Sequence, residues 1–275
     1  MIDERLICGP IPLSFAQITN AGGRQSNQDA LGVARQDDLA CFVVSDGVGG
    51  HAGGEIASNI VVEAVLDRFL RESSFGSRAL RSYVDHAVVQ IARRKGQEQP
   101  LQGMSATVAA VLIDQKNRCA LWAHMGDTRI YLFRHRMLQS VTKDHSMVQQ
   151  FIDAGYSQPE LLRAHPQRST LFAAIGAEGD TLPEVTQAIV EIDNGDAFLI
   201  CTDGLWEWID EAEMEQTLAL AASAEDWLIT MRDIAEKKGR ASPKARDNYT
   251  AYTIWLGEPE AVTVKLQNRV GAAGQ

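Results

Sequence analysis

The chain has 275 residues, 45% of them apolar and 23% charged. That balance belongs to a folded globular protein and excludes a disordered tail, a collagen-like chain and a disulfide-dense miniprotein. Lys and Arg number 26 against 36 Asp and Glu, a net charge of −10; this disfavours non-specific binding to nucleic acid or anionic lipid, but an anionic substrate stays open because a bound cation reverses the sign locally.

Residues 1–12 lack a basic start followed by a long apolar stretch, so no signal peptide is expected. The apolar runs are strand-sized and far short of the about 20 residues that a membrane helix needs. A cytoplasmic protein without membrane insertion is the expectation. The four cysteines, Cys8, Cys41, Cys119 and Cys201, are far apart and form no zinc-type pair. They read as buried reduced thiols.

Short apolar runs at 40–45, 107–113, 119–124, 129–133, 197–201 and 252–256 predict strands bounded by Gly, Asp and Asn. Runs 129–133 and 137–141 read as a hairpin. Helical spacing appears in two pairs, 55–71 with 77–95 and 210–222 with 224–238. Strands and helix pairs in segregated blocks predict an α+β fold. The expected form is two antiparallel β-sheets in a sandwich, flanked on each side by a pair of helices. Residues 146–169, with Gly155, Pro159 and Pro166, read as an excursion from that core. Residues 1–257 are expected to form one domain, and 258–275 a tail.

Aspartates recur where apolar runs meet glycine. Asp46 ends CFVVSD and precedes Gly47; Asp203 ends AFLICTD and precedes Gly204; Asp127 follows Gly126; Asp247 precedes Asn248. One Asp-Gly pair is an ordinary turn signal. Several carboxylates at the rim of one sandwich would repel each other, and Lys and Arg are scarce in these stretches. Hard divalent cations with oxygen ligands are the natural partners.

These motifs, in this order, resemble the metal-dependent protein phosphatase family, the type 2C serine/threonine phosphatases. The resemblance rests on Arg24-x-x-Asn27-Gln28-Asp29, Asp46-Gly-Val-Gly-Gly-His51, Gly103-x-Ser105-Ala-Thr107, Gly126-Asp127-Thr128-Arg129, Thr142-x-Asp144-His145-Ser146, Asp203-Gly204-Leu205-Trp206 and Asp247-Asn248-x-Thr250. It spans about residues 13–256, in the bacterial variant of the pattern.

The resemblance implies a two-metal centre for Mn2+ or Mg2+, with a third, weaker ion. Asp46 would bridge both tight ions and the Gly47 carbonyl would bind the first. Asp203 and Asp247 would bind the second. Asp127, shared with Asp203, would hold the third. Asp29 would hold metal-bound waters, and Arg24 would clamp the substrate phosphate. Phosphoserine and phosphothreonine would be hydrolysed by direct attack of a metal-activated water. Phosphorylated proteins, the products of a cognate Ser/Thr kinase, would be the substrates, with no nucleic-acid partner and a monomeric enzyme. A small-molecule two-metal phosphohydrolase and a silent phosphoprotein-binding module remain the alternatives.

Two positions depart from the family pattern. Val48 stands where eukaryotic relatives have a histidine that is a candidate general acid, and Gln28 stands where many have Glu. His51 reads as part of the glycine turn rather than as a substitute acid. Cys201 lacks the anion-cradling loop of cysteine phosphatases and reads as core. Asp144 and His145 are expected to fix the base of the excursion, and Arg129 to pair with a carboxylate.

Overall fold

The structure, a computed structural model, describes residues 9–48 and 53–257. Strands β1 (Leu13–Asn20), β2 (Asp29–Gln36) and β3 (Leu39–Val48) lead into α1 (Gly53–Glu72) and α2 (Ser77–Gln97). β4 (Ser105–Ala106), β5 (Val108–Asp114), β6 (Cys119–Met125), β7 (Arg129–Arg134) and β8 (Met137–Val141) follow. Then come α3 (Met147–Asp153), β9 (Glu184–Val185), β10 (Val190–Glu191) and β11 (Ala197–Cys201). α4 (Asp203–Trp206), α5 (Glu211–Leu220), α6 (Ala224–Ala241) and β12 (Tyr249–Leu256) complete the order.

One sheet runs β1-β12-β11-β7-β8 and the other β10-β6-β5-β3-β2, with β4 on β3 and β9 on β6. The strand pairs are antiparallel. The period-2 alternation of side chains decides the layers. In β3, Cys41 and Val43 pack with Val61, Val65, Tyr83 and Val84 of α1 and α2. Ala40, Phe42 and Val44 point the other way and meet Phe198, Ile200 and Tyr252 between the sheets. In β11, Ala197, Leu199 and Cys201 face Trp227 and Met231 of α6. Both faces of the central strands are therefore covered, which is why they read as unbroken apolar runs. The expected layers, helix pair, sheet, sheet, helix pair, are the ones formed.

β1 and β2 go beyond the strands read from the sequence. Both lie at sheet edges with partly exposed side chains, so their apolar signal is weak. The hairpin is as expected: β7 and β8 are joined by His135 and Arg136, both at positive φ (50° and 64°), which matches the twist of a two-residue turn. The excursion carries α3 and a turn of 3-10 helix at Pro159–Leu161. Its base is closed by a bridge between Ser146 and Leu171. His51 and the 258–275 tail lie outside the described residues.

Candidate active site

The cleft that matters opens where strand ends of both sheets meet. Arg24, Asp46, Gly47, Asp127, Asp203 and Asp247 line it, together with Asn248 and Thr107, around a volume of about 150 Å3. A larger groove of about 450 Å3 lies between α1 and α2, but it gathers no comparable set of carboxylates. Each functional residue reaches the cleft from a different element. Asp46 and Gly47 come from the end of β3, Asp203 from the first turn of α4, and Asp247 from the residue pair before β12. Asp127 comes from the β6–β7 connection, where Gly126 at φ 105° turns the chain.

Asp29 sits one step deeper. It lies opposite Asp46 in the β2–β3 register and is buried. Thr202 Oγ1 donates to its Oδ2 at 2.9 Å, while its Oδ1 is buried without a partner. Asp46 is held by its own backbone: its N–H donates to Thr107 Oγ1 at 2.8 Å, and Thr107 Oγ1 is 2.6 Å from Thr128 Oγ1. Arg24 Nη2 donates to Asp247 Oδ2 at 2.7 Å, with more than half of the Arg24 side chain exposed.

Two glycines allow close approach. A Cβ on Gly47 would lie 2.4 Å from the Gly54 carbonyl oxygen at the start of α1. A Cβ on Gly204 would lie 1.9 Å from the Asn248 carbonyl oxygen. Only glycine lets α4 and the 247–248 segment meet there and bring Asp203 beside Asp247.

The carboxylates disturb each other. Burial first, and then Asp29, Asp203 and Asp127, push the Asp46 carboxyl well above its ordinary range. Burial and Asp203 do the same to Asp127. Burial, Asp247 and Asp29 push Asp203 up to about 7. Burial pushes Asp29 up to about 6, against hydrogen bonds from its threonine neighbours. Such a set is costly without cations. Its donors are oxygen throughout, carboxylates plus the Gly47 carbonyl, and one buried carboxylate oxygen awaits a partner. Hard divalent cations with their waters fit it.

A model of the family described as protein phosphatase 2C matches residues 20–244. The chain belongs to the protein phosphatase 2C family. The serine/threonine phosphatase Stp of Listeria monocytogenes is 31% identical over 201 residues, 71% of this chain and 78% of its own length. The solved structure of the serine/threonine phosphatase PstP/Ppp of Mycobacterium tuberculosis superposes with a TM-score of 0.76 at 29% identity, covering 90% of this chain and 100% of that one. A structure of the PstP catalytic domain in complex with two manganese ions has a TM-score of 0.74 at 27% identity, covering 90% and 99%.

In this phosphatase 2C chain, supporting residues surround the cleft. Arg129 makes a two-pronged ion pair with Asp144 at 2.7 and 2.8 Å, and stacks 3.6 Å over the Trp206 ring. Trp206 Nε1 donates to the Asp127 carbonyl at 2.9 Å, so the base of the excursion, Asp127 and α4 are tied together. Arg163 donates to the Trp206 carbonyl and pairs with Glu211; Arg168 pairs with Glu207; Ser169 Oγ is 3.4 Å from Asp203 Oδ2. These contacts fasten the excursion beside the cleft, and Ser169 and Leu171 line it.

Asn248 is the residue whose role the sequence reading left unassigned. Its Nδ2 donates to the carbonyls of Ala21 and Ser26, and its Oδ1 accepts from Gln28 N–H. It therefore fastens the loop carrying Arg24 to the segment carrying Asp247. The signal was present in Asp247-Asn248-x-Thr250, since a buried amide beside a carboxylate can satisfy several backbone groups at once.

Two other groups are not part of this chemistry. His124, His145 and Glu184 bring potential ligand atoms within 4.8 Å of one another. However, Gly126 N–H donates to His145 Nδ1, and His124 Nε2 faces the Lys143 carbonyl at 2.9 Å. Both Nε2 atoms then carry protons, and the cluster serves as a hydrogen-bonded clasp. Cys201 is fully buried, and burial pushes its thiol up, so it is no thiolate nucleophile.

Proposed function

We infer that this chain is a metal-dependent protein serine/threonine phosphatase, acting on phosphoserine and phosphothreonine in proteins. The observation that carries the reading is the convergence of Asp46, Asp127, Asp203, Asp247 and Arg24 on one cleft in a chain of the phosphatase 2C family.

In this reading Asp46, the Gly47 carbonyl, Asp203 and Asp247 would hold two Mn2+ or Mg2+ ions, with Asp46 shared between them. Asp127 and Asp203 offer a third, weaker place. When bound, such ions neutralise the phosphate dianion and lower the pKa of water at neutral pH. The rest falls to side chains. Arg24 exchanges its Asp247 contact for the substrate phosphate, and its planar fork suits two phosphate oxygens at once. Asp29 accepts a hydrogen bond at its unpartnered Oδ1 and so orients water. With Val48 in place of histidine, position 48 itself supplies no imidazole to protonate the leaving oxygen. The reading also makes the chain a cytoplasmic monomer that opposes a Ser/Thr kinase. Among the described residues no helix is long and apolar enough to cross a membrane.

The test is turnover of a phosphoserine peptide by protein stripped with chelator and reloaded. Activity is expected only with Mn2+ or Mg2+. Undiminished turnover in excess EDTA overturns the reading.

A further inference from the structure

Behind the catalytic cleft lies a second pocket, of about 320 Å3, with a charge opposite to that of the chain as a whole. Arg240, Lys244 and Arg246 line it, with Glu236 as its acidic member, in a molecule of net charge −10. Two of the cations are compensated. Arg240 Nη2 donates to Glu236 at 2.8 Å, and Lys244 Nζ donates to Glu207 at 2.6 Å. Glu236 also accepts from Tyr249 Oη at 2.9 Å.

Arg246 is different. Among the described residues no carboxylate lies within ion-pair distance of it; its Nε and Nη2 are enclosed without a hydrogen-bond partner, its guanidinium hydrogen-bonds Tyr249, and Nη1 is the nitrogen left to meet a ligand. Its guanidinium lies 4.2 Å over the Tyr249 ring, a contact that holds a cation without neutralising it. Its place is prepared by Gly239, where a Cβ would come within 2.1 Å of Arg246 Cδ. A half-buried cation without a counter-charge needs an explanation.

The pocket and the catalytic cleft share one wall. Arg246 lines the pocket and its neighbour Asp247 lines the cleft. Gly23 N–H donates to the Arg246 carbonyl at 2.9 Å, so the loop before Arg24 closes that wall. An extended peptide advances about 3.3–3.6 Å per residue. Gly22 and Gly23, directly before Arg24 in the chain, also line the pocket, so residues flanking a phosphoserine held by Arg24 pass beside it.

We propose that this pocket is an anion site that holds a second oxyanion of the substrate, the carboxylate or phosphate of a side chain near the phosphoserine. The proposal rests on the phosphatase reading. It makes Arg246, helped by Arg240 and Lys244, a determinant of preference for acidic or multiply phosphorylated segments.

The test uses metal-loaded protein and phosphoserine peptides carrying Asp, a second phosphoserine, or Asn at offsets of two, three and four residues. At the fitting offset, kcat/KM is expected to be roughly tenfold higher for Asp or phosphoserine than for Asn, the effect of one charge-assisted contact. A gain with phosphoserine alone assigns the site to phosphate; a gain with both assigns it to either oxyanion. Arg246→Gln should bring the ratio close to one through KM. Turnover of the Asn peptide and of p-nitrophenyl phosphate should stay at the parental level. The double variant Arg240→Gln/Lys244→Gln, outside the shared wall, should lower the ratio in the same direction. Equal kcat/KM for all three peptides in the parent overturns the proposal. So does an equal loss on every substrate in Arg246→Gln, which would make Arg246 a support for Asp247. If no substrate is turned over, the phosphatase reading fails. Fluorescence anisotropy of labelled Asp and Asn peptides then decides the pocket, and equal affinities overturn it.

Discussion

Asp29 and Asp46 face each other across the β2–β3 ladder, two carboxylates in direct cross-strand register. Like charges in that position oppose strand pairing. The sheet tolerates them because Thr202 donates to Asp29 and because burial and their mutual repulsion raise both carboxyls, which favours protonation over a doubly charged pair. The arrangement costs stability in the metal-free protein and prepares it for cations.

Stability of the metal-free protein should therefore fall as pH rises. The folded-state pKa of Asp29 is raised to about 6 and that of Asp203 to about 7. Between the unfolded value near 4 and these values, the folded state binds more protons than the unfolded state. Unfolding free energy then decreases with rising pH across that window, by on the order of 3 kcal/mol for a buried carboxyl raised from near 4 to about 6. In EDTA, Tm should drop between pH 5 and pH 7.5. Mn2+ should raise Tm by several degrees at pH 7.5 and by much less at pH 5. Asp203→Asn should flatten the EDTA profile while removing turnover. A parent Tm that rises steadily from pH 5 to 7.5 in EDTA would contradict the carboxylate argument.

The Arg129–Asp144 pair makes the opposite prediction. Both side chains are almost fully buried, and the fork is satisfied on both prongs. Removing Asp144 leaves the buried Arg129 with only the longer Glu211 contact at 3.8 Å and Tyr131, a poorly compensated charge that should cost about 3 kcal/mol, the low end for a broken buried pair. Asp144→Ala should shift the urea midpoint down accordingly, while Arg129→Met/Asp144→Leu should recover most of the loss. A change below about 1 kcal/mol in Asp144→Ala would mean that the pair is solvated.

The layers were legible in the sequence because unbroken apolar runs at 40–45 and 197–201 report strands covered on both faces. β1 and β2 were not, since edge strands with one open face carry little pattern. The candidate ligands were legible as Asp-Gly junctions, a signal carried by single positions. Their relations were not. Arg24 meets Asp247 across 223 residues, and Asn248 fastens that meeting through three backbone groups. Register and long-range hydrogen bonds of this kind depend on how the sheets close. Arg246 also escaped notice, because a lone arginine acquires meaning only once Gly239 and Tyr249 are packed against it.

Arg24→Ala should act through substrate rather than through stability. The Arg24–Asp247 contact is exposed, so its loss should change unfolding free energy by less than about 1 kcal/mol. Loss of a charge-assisted phosphate contact should cost about 1.5–3 kcal/mol in kcat/KM, mainly in KM if ground and transition states are held alike. Arg24→Lys should recover only part, because an ammonium cannot reproduce the planar fork. An unchanged kcat/KM in Arg24→Ala would remove Arg24 from substrate binding.

Asp127 offers the sharpest separation of roles. Its backbone carbonyl, not its carboxylate, accepts from Trp206, and Gly126 sets the turn before it. Asp127→Ala should therefore keep the fold. Its buried carboxylate faces the charge of Asp203, and the two together offer few protein oxygens, so any ion shared between them should be loosely held and mostly hydrated. The proposed contribution is to place water where it can protonate the leaving oxygen, a task that Val48 cannot perform. An alkoxide needs that proton far more than a nitrophenolate does. Asp127→Ala should leave two tightly bound ions by metal titration. It should lower kcat on a phosphoserine peptide by about 100-fold, the low end of general acid catalysis, and kcat on p-nitrophenyl phosphate much less. Equal losses on the two substrates would deny Asp127 a part in protonation, and parental turnover on both would leave it a turn residue.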